Sequence, residues 1–231
     1  MRNIVKASIR LLRCWMFFPM LKHNIWVIKL GGSLIGSPYL GEWLAAIAAI
    51  SRTARVVIVP GGGPFADAVR NAQSKLKVDD VVAHYMALLG MRQFGLALVA
   101  LCKPLCTTAL MSVSSIKAQA SIGGICVWDP CDLHLDRSPL PKDWRVTSDS
   151  LSLWLCGELC DSRLLLVKSA SPRSRHDPLS SLSESQFIDA YFPILRASID
   201  RPGWWLESSH ANVLADLVLG SQGTEEYVGK I

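Results

Sequence analysis

The seven cysteines of this 231-residue chain include no Cys-x-x-Cys pair, and their odd number and scatter give no disulfide framework. Cys102/Cys106 and Cys156/Cys160 stand four apart beside leucines, the helical spacing, which predicts buried, reduced thiols in a cytoplasmic protein. Cys131 with His134 is half a metal site that nothing nearby completes, so no metal centre is expected. No Gly-Lys-Ser/Thr closes a glycine loop and no Gly-x-Gly-x-x-Gly occurs, which excludes a Walker loop and a dinucleotide turn. Residues 1–19 contain no acid. Their Arg2, Lys6, Arg10 and Arg13 supply all but one unit of the net charge of +5, and so near-neutral a body argues against nucleic-acid binding. Leu11–Leu21 is broken by Arg13 and Pro19 and lacks a small-residue cleavage site, so neither a membrane span nor a signal peptide is expected. Residues 1–24 read as an extension outside the fold, with Met20 as an alternative start; a basic amphipathic arm is the sharper reading.

Two apolar, β-branched runs that stop in glycines dominate what is present: Trp26-Val27-Ile28-Lys29-Leu30-Gly31-Gly32-Ser33 and Val56-Val57-Ile58-Val59-Pro60-Gly61-Gly62-Gly63. A buried parallel strand reads this way when it feeds a tight turn and a helix. Glycines there uncover backbone N–H groups and admit a phosphate at the positive end of the next helix. Two such turns, with a lysine inside the first, suggest a cradle that grips phosphates from two sides.

Strand and helix alternate through the rest. Strands are expected at 25–30, 55–59, 123–128 and 163–167, and a short aromatic run stands at 204–206. Helices are expected near 39–51, from Pro64 onward, over 81–101 with Pro104 beyond its end, from Thr147 through Cys160, near 184–198 and near 210–219. Residues 111–121 are weakly patterned, 130–144 are loop-rich, and 170–185, rich in Ser, Pro and Arg, read as a mobile loop. Alternation of this kind predicts an α/β fold, a three-layer sandwich around a mostly parallel sheet.

Lys29 stands at the carboxyl end of the first strand, where open α/β sheets bind ligands. Lys168 ends the apolar run Leu164–Val167 and must emerge at the same edge. Asp149 follows Ser148 at a helix start, where a carboxylate ordinarily caps backbone N–H groups. Two lysines and an acid at one edge would also suit phosphoryl transfer: cations offset charge on the moving group and an acid holds them in place. Asp67 and Arg70 share a face of the helix after the second glycine turn, as an exposed ion pair or as contacts to a substrate. His84 is either a satisfied core histidine or part of the same pocket.

Lys29-Leu30-Gly31-Gly32-Ser33, Pro60-Gly61-Gly62-Gly63 and Ser148-Asp149-Ser150, in that order, resemble the amino-acid kinase superfamily over about residues 25–170. Within it, Pro60–Arg70, Ala83-His84-Tyr85-Met86-Ala87 and the segment from Pro141 through Trp144–Ser150 to Trp154-Leu155 are similar to the phosphate kinases of methanofuran biosynthesis. The resemblance implies an amino-acid (carbamate) kinase-like fold for residues 25–231, with an acceptor-binding part at about 25–147 and a nucleotide-binding part at about 148–231. It implies ATP and Mg2+ as co-reactants, a small phosphate monoester as acceptor, and assembly as a homo-oligomer. Lys29 would contact the transferred phosphoryl group, Asp149 would organise the lysines, and Lys168, a third catalytic residue, matches the lysine that uridylate kinases place after the corresponding strand. Gly31, Gly32, Ser33, Gly61, Gly62 and Gly63 would bind phosphate oxygens. Asp67, Arg70 and His84 would meet the acceptor, Arg70 its phosphate and Asp67 its ammonium. Many superfamily members follow the strand before Lys168 with an Asp-Val-Asp-Gly-like turn, whereas this chain reads Ala170-Ser171-Pro172-Arg173-Ser174. Nucleotide contacts are therefore expected from Arg173, Arg175 and His176 on a closing loop. A kinase for another small phosphate or carboxylate, and a non-catalytic binding protein on the same fold, are the competing expectations.

Overall fold

The computed structural model describes residues 25–103, 110–119 and 124–231. Six strands form one sheet in the order β3-β2-β1-β4-β5-β6: β1 Ile25–Leu30, β2 Arg55–Pro60, β3 Gly124–Val127, β4 Ser162–Lys168, β5 Gly203–Glu207 and β6 Gly229–Lys230. All pairings are parallel except that of β6, a two-residue antiparallel edge. Every residue of β1 and β2 is buried. This is why those segments read as unbroken apolar runs rather than as an alternation.

Helices cover both faces. The α1 helix (Tyr39–Ile50) and α9 (Leu214–Leu219) pack on one side, where Trp43, Ile47 and Leu214 join Trp26, Ile28, Leu30 and Ile58 of the sheet. On the other side α6 (Ser148–Glu158) and α8 (Phe192–Arg196) set Leu151, Leu155 and Phe192 against Val27, Val57, Leu164 and Leu166. The expected three-layer sandwich is therefore present. Between β2 and β3 run α2 (Gly63–Leu76), α3 (Asp80–Leu101) and the short α4 (Val113–Ala118). Two further short helices are α5 (Leu133–Asp136) and α7 (Leu179–Glu184). Among the described residues α3 alone is long and apolar enough to cross a membrane by length and composition. It packs on α2 and β2 and buries His84, Leu88, Met91, Phe94 and Leu98.

Several boundaries differ from expectation. The helix expected through Cys160 ends at Glu158, and Asp161 has a positive φ of 53°. Cys160 is consequently exposed, not buried beside Cys156. The helix expected at 184–198 is reduced to α8: α7 already ends at Glu184, Gln186 follows at φ 58°, and Pro193 stands in the first turn of α8. Proline suits that position but not the interior of one continuous helix. Residues 170–185 likewise contain α7 and are not a loop throughout. Short helices capped by Ser112 and Asp132 occupy stretches read as weakly patterned or loop. Expectations for residues 1–24, Pro104 and Cys106 lie outside the described residues.

Candidate active site

The chain runs outward from β1 to β2 to β3 and then returns to the opposite side of β1 for β4 and β5. The direction of winding reverses between β1 and β4, and an open sheet leaves its ligand crevice at the carboxyl ends of such neighbouring strands. Side chains of a strand alternate between faces. Val27 faces α6, so Lys29 does too. Register pairs Lys29 with Leu166, and two residues further Lys168 emerges on the same face. The sheet alone thus brings both ammonium groups beneath the start of α6.

Asp149 fills the space between them. Its Oδ2 accepts a hydrogen bond from Lys168 Nζ at 2.9 Å. Its Oδ1 lies 3.1 Å from Lys29 Nζ, an ion pair out of hydrogen-bond alignment. Burial by itself would raise the Asp149 carboxyl, but Lys168 and then Lys29 outweigh it and hold the pKa down to about 2. Burial pushes the Lys29 ammonium below the usual lysine value; Asp149 opposes that shift and Lys168 adds to it. The cluster is two cations and one fixed anion, with one positive charge in excess for an incoming phosphate.

The glycine turns supply the floor. A Cβ on Gly32 would lie 2.0 Å from Gly63 N, and one on Gly63, whose φ is +50°, would lie 2.6 Å from Gly32 O. Only paired glycines let the two turns meet this closely. The α2 helix begins at Gly63 with Pro64 in its first turn and no side-chain cap, which leaves its first amides available to a ligand. Gly61 differs from its neighbours. Its amide donates to Leu30 O at 2.8 Å and a Cβ there would strike Gly32 N at 2.4 Å, which ties it to the close packing of the two turns.

A cavity of about 270 Å³ opens above this floor. Lys29, Lys168, Gly31, Gly32, Ser33, Gly62 and Gly63 line one end. Asp67, Arg70 and His84 line the other, so the structure brings every expected site residue to this crevice except Gly61 and Asp149, the latter standing behind the lysines. Asp67 and Arg70 are an exposed pair at 3.0 Å. The Arg70 guanidinium also lies 4.3 Å from the Trp144 ring centre, and Trp144 is tied by its Nε1 to Gln73 Oε1 at 2.7 Å. His84 is buried, and burial pushes its pKa down, so it meets the cavity as a neutral imidazole. Beyond it a second, mainly apolar cavity of about 380 Å³ adjoins through the shared His84, Leu88 and Leu151.

On the far side of Lys168 a polar cavity of about 760 Å³ is walled by Ser169, Arg173, Asp177, Glu184 and Phe187 among others. Of the three expected donors in this segment Arg173 lines the cavity. The Arg175 guanidinium instead packs over Trp205 at 5.8 Å, and His176 is exposed. Ser171 donates to Glu207 at 2.7 Å and the Ser174 amide to Asp177 at 3.0 Å, which pins the segment to β5 and to itself. His134 pairs with Glu158 at 2.9 Å, and no group of three His, Cys, Asp or Glu that could hold a metal ion occurs among the described residues.

Sequence reasoning missed Asp189. Its carboxylate accepts from the Thr147 and Ser150 amides at 2.8 and 2.9 Å, taking the capping role that the local rule assigns to Asp149. The available signal was Asp189 three residues ahead of Phe192-Pro193, a helix start in its own right. Nothing local pointed across to α6.

The glycine floor, with the Lys29–Asp149–Lys168 cluster at the winding reversal, is the arrangement expected from the resemblance to amino-acid kinases. The model of the amino acid kinase family matches residues 24–128 of this chain. The chain is 29% identical over 145 residues to the (5-(aminomethyl)furan-3-yl)methyl phosphate kinase of Methanocaldococcus jannaschii, covering 61% of this chain and 63% of that one. The match therefore spans less than two thirds of the curated relative. UMP kinase from Ureaplasma parvum superposes with a TM-score of 0.68 at 16% identity, over 91% of this chain and 97% of that one. Uridylate kinase from Archaeoglobus fulgidus gives 0.64 at 15%, over 88% and 97%. At these identities the likeness is one of fold.

Proposed function

We propose that this protein is an ATP-dependent kinase that converts a small phosphate monoester, of the (aminomethylfuranyl)methyl phosphate kind, to its diphosphate. The observation that carries the reading is Asp149 held at 3.1 and 2.9 Å between Lys29 and Lys168, directly above paired glycine turns. In the proposed reaction an oxygen of the acceptor phosphate attacks the γ-phosphorus of ATP in line. The bond to the bridging oxygen breaks and ADP leaves with the electron pair. Lys29 and Lys168 offset charge on the passing group, and the Gly32, Gly62 and Gly63 backbone positions its oxygens. Magnesium, on this reading, arrives on the nucleotide's own phosphates, the usual manner of a hard ion that keeps its waters.

The acceptor belongs in the 270 Å³ cavity, its phosphate toward Arg70, its ammonium toward Asp67 and its ring toward neutral His84 and the apolar cavity beyond. The donor belongs on the Lys168–Phe187 side. A nucleotide or acyl-acid acceptor, and a non-catalytic binding role, are the alternatives. Kinetics with magnesium–ATP and a panel of furan, alkyl and nucleoside monophosphates separate them. The furan phosphate should give the highest kcat/KM, preference for UMP would move the acceptor class, and no turnover with any of them would sink the kinase reading. Arg70→Ala should raise KM for the acceptor about tenfold or more while leaving KM for ATP within about twofold, the signature of lost binding on one side only. Equal effects on both would contradict an acceptor site at Arg70.

A cytoplasmic homo-oligomer belongs to the same proposal. The oligomer's support is the apolar stripe Val82, Leu89 and Leu96 left exposed on α3, and sedimentation velocity is the check, a monomer at all concentrations counting against it.

A further inference from the structure

Asp189 lies in the link between α7 and α8, forty residues from Asp149 in the chain. Its Oδ2 accepts from Thr147 N, Thr147 Oγ1 and Ser150 N at 2.8, 2.9 and 2.9 Å. Its Oδ1 accepts from Ser150 Oγ and, at 3.0 Å, from Phe192 N. The start of α6 has no side-chain cap from Thr147 itself; the threonine hydroxyl is turned to Asp189 instead. A Thr-Ser-Asp-Ser segment carries ordinary capping groups of its own. Bringing a remote carboxylate to this spot is electrostatically unfavourable, because burial and the like charge of Asp149 both raise the Asp189 pKa. The gain is geometric: with the helix amides satisfied from outside, Asp149 is free to turn inward to the lysines.

We propose that Asp189 is a positioning residue for the Lys29–Asp149–Lys168 cluster, fixing the first turn of α6 and contributing negative field at Lys29; as a role in turnover, this rests on the kinase reading above. Asp189 also joins that cluster to the segment carrying Glu184 and Phe187, which wall the cavity beyond Lys168. Asp149 from α6 pairs with Lys29 at 3.1 Å, and the charges of Lys168 from β4 and, more weakly, of Asp189 from the α7–α8 link also act on it. Asp189 acts to keep Lys29 protonated, so removing its charge should let Lys29 lose its proton at lower pH.

The test is Asp189→Asn in the full chain, read in two ways. The Lys29 titration is followed by NMR of protein labelled at the lysine ε-carbons and assigned with Lys29→Arg, a readout that needs no turnover. The midpoint of Lys29 should move to lower pH than in wild type while Lys168 stays paired. In kinetics, kcat should fall about tenfold or more with KM for the acceptor within about threefold, and the alkaline limb of kcat should move the same way. Asp189→Glu, which keeps the charge, should restore the Lys29 midpoint. An unmoved Lys29 midpoint in folded Asp189→Asn overturns the proposal. Absence of turnover in wild type overturns the kinase reading instead and leaves the titration to decide the electrostatic link. Should Asp189→Asn not fold, Ser150→Ala removes one donor to Asp189; lower kcat at unchanged acceptor KM supports the role, and unchanged kcat overturns it.

Discussion

Lys29→Ala should fold normally and lose turnover by about 10²–10³, the loss of one preorganised donor to a developing charge, or about 3–4 kcal/mol of transition-state stabilisation. Folding should survive because the buried ammonium is disfavoured where it sits, its pKa pushed down by burial, and Asp149 keeps Lys168 as partner. Substrate KM should change far less than kcat, since the glycine turns and Arg70 remain. In wild type the rate should fall with rising pH below the ordinary lysine value, as Lys29 gives up its proton, and the variant should lack that limb. Steady-state rates beside a thermal melt check this. A folded variant with near-wild-type kcat would contradict the role given to Lys29.

Asp149→Asn should be the more damaging change to the molecule itself. It leaves the buried Lys29 ammonium and the half-buried Lys168 ammonium facing one another without the carboxylate between them, and breaking a buried pair in this way costs about 3–5 kcal/mol. Activity should fall with stability, because the lysines lose the group that orders them. The pH dependence isolates the cause. Asp149 has a folded pKa of about 2 against an ordinary 3.8, so its contribution is fully present above 3.8 and is lost as pH falls toward 2. The stability difference between wild type and variant, measured by denaturant unfolding, should be constant above about pH 4 and close toward pH 2. A difference independent of pH over that range would show that the carboxylate's charge is not what holds the cluster.

Where local pattern and tertiary demand agreed, the sequence was readable. The β1 and β2 runs are apolar throughout because both faces are covered, and their glycine endings are forced by the meeting of Gly32 with Gly63. Strand parity places Lys29 and Lys168 on one face before any side chain is seen. Where a remote group overrides a local rule, the pattern misled. Asp149 sits where a cap should be, but Asp189 does the capping, and that pairing spans a stretch whose own pattern suggested one continuous helix. Cys160 failed for a simpler reason: α6 stops two residues earlier, so the spacing of four from Cys156 no longer places it on a buried face. Gly61 looks the same as Gly62 and Gly63 in sequence, and only the structure shows its amide already bonded to Leu30 O.

The most direct measurement is phosphorus NMR of the purified protein with magnesium–ATP and (aminomethylfuranyl)methyl phosphate, run beside Lys29→Ala. The account predicts loss of the ATP γ-resonance, appearance of ADP, and an equal amount of a new coupled pair of diphosphate doublets from the acceptor, all suppressed in the variant. Inorganic phosphate released without an acceptor diphosphate, or an acceptor resonance that stays unchanged, would contradict it.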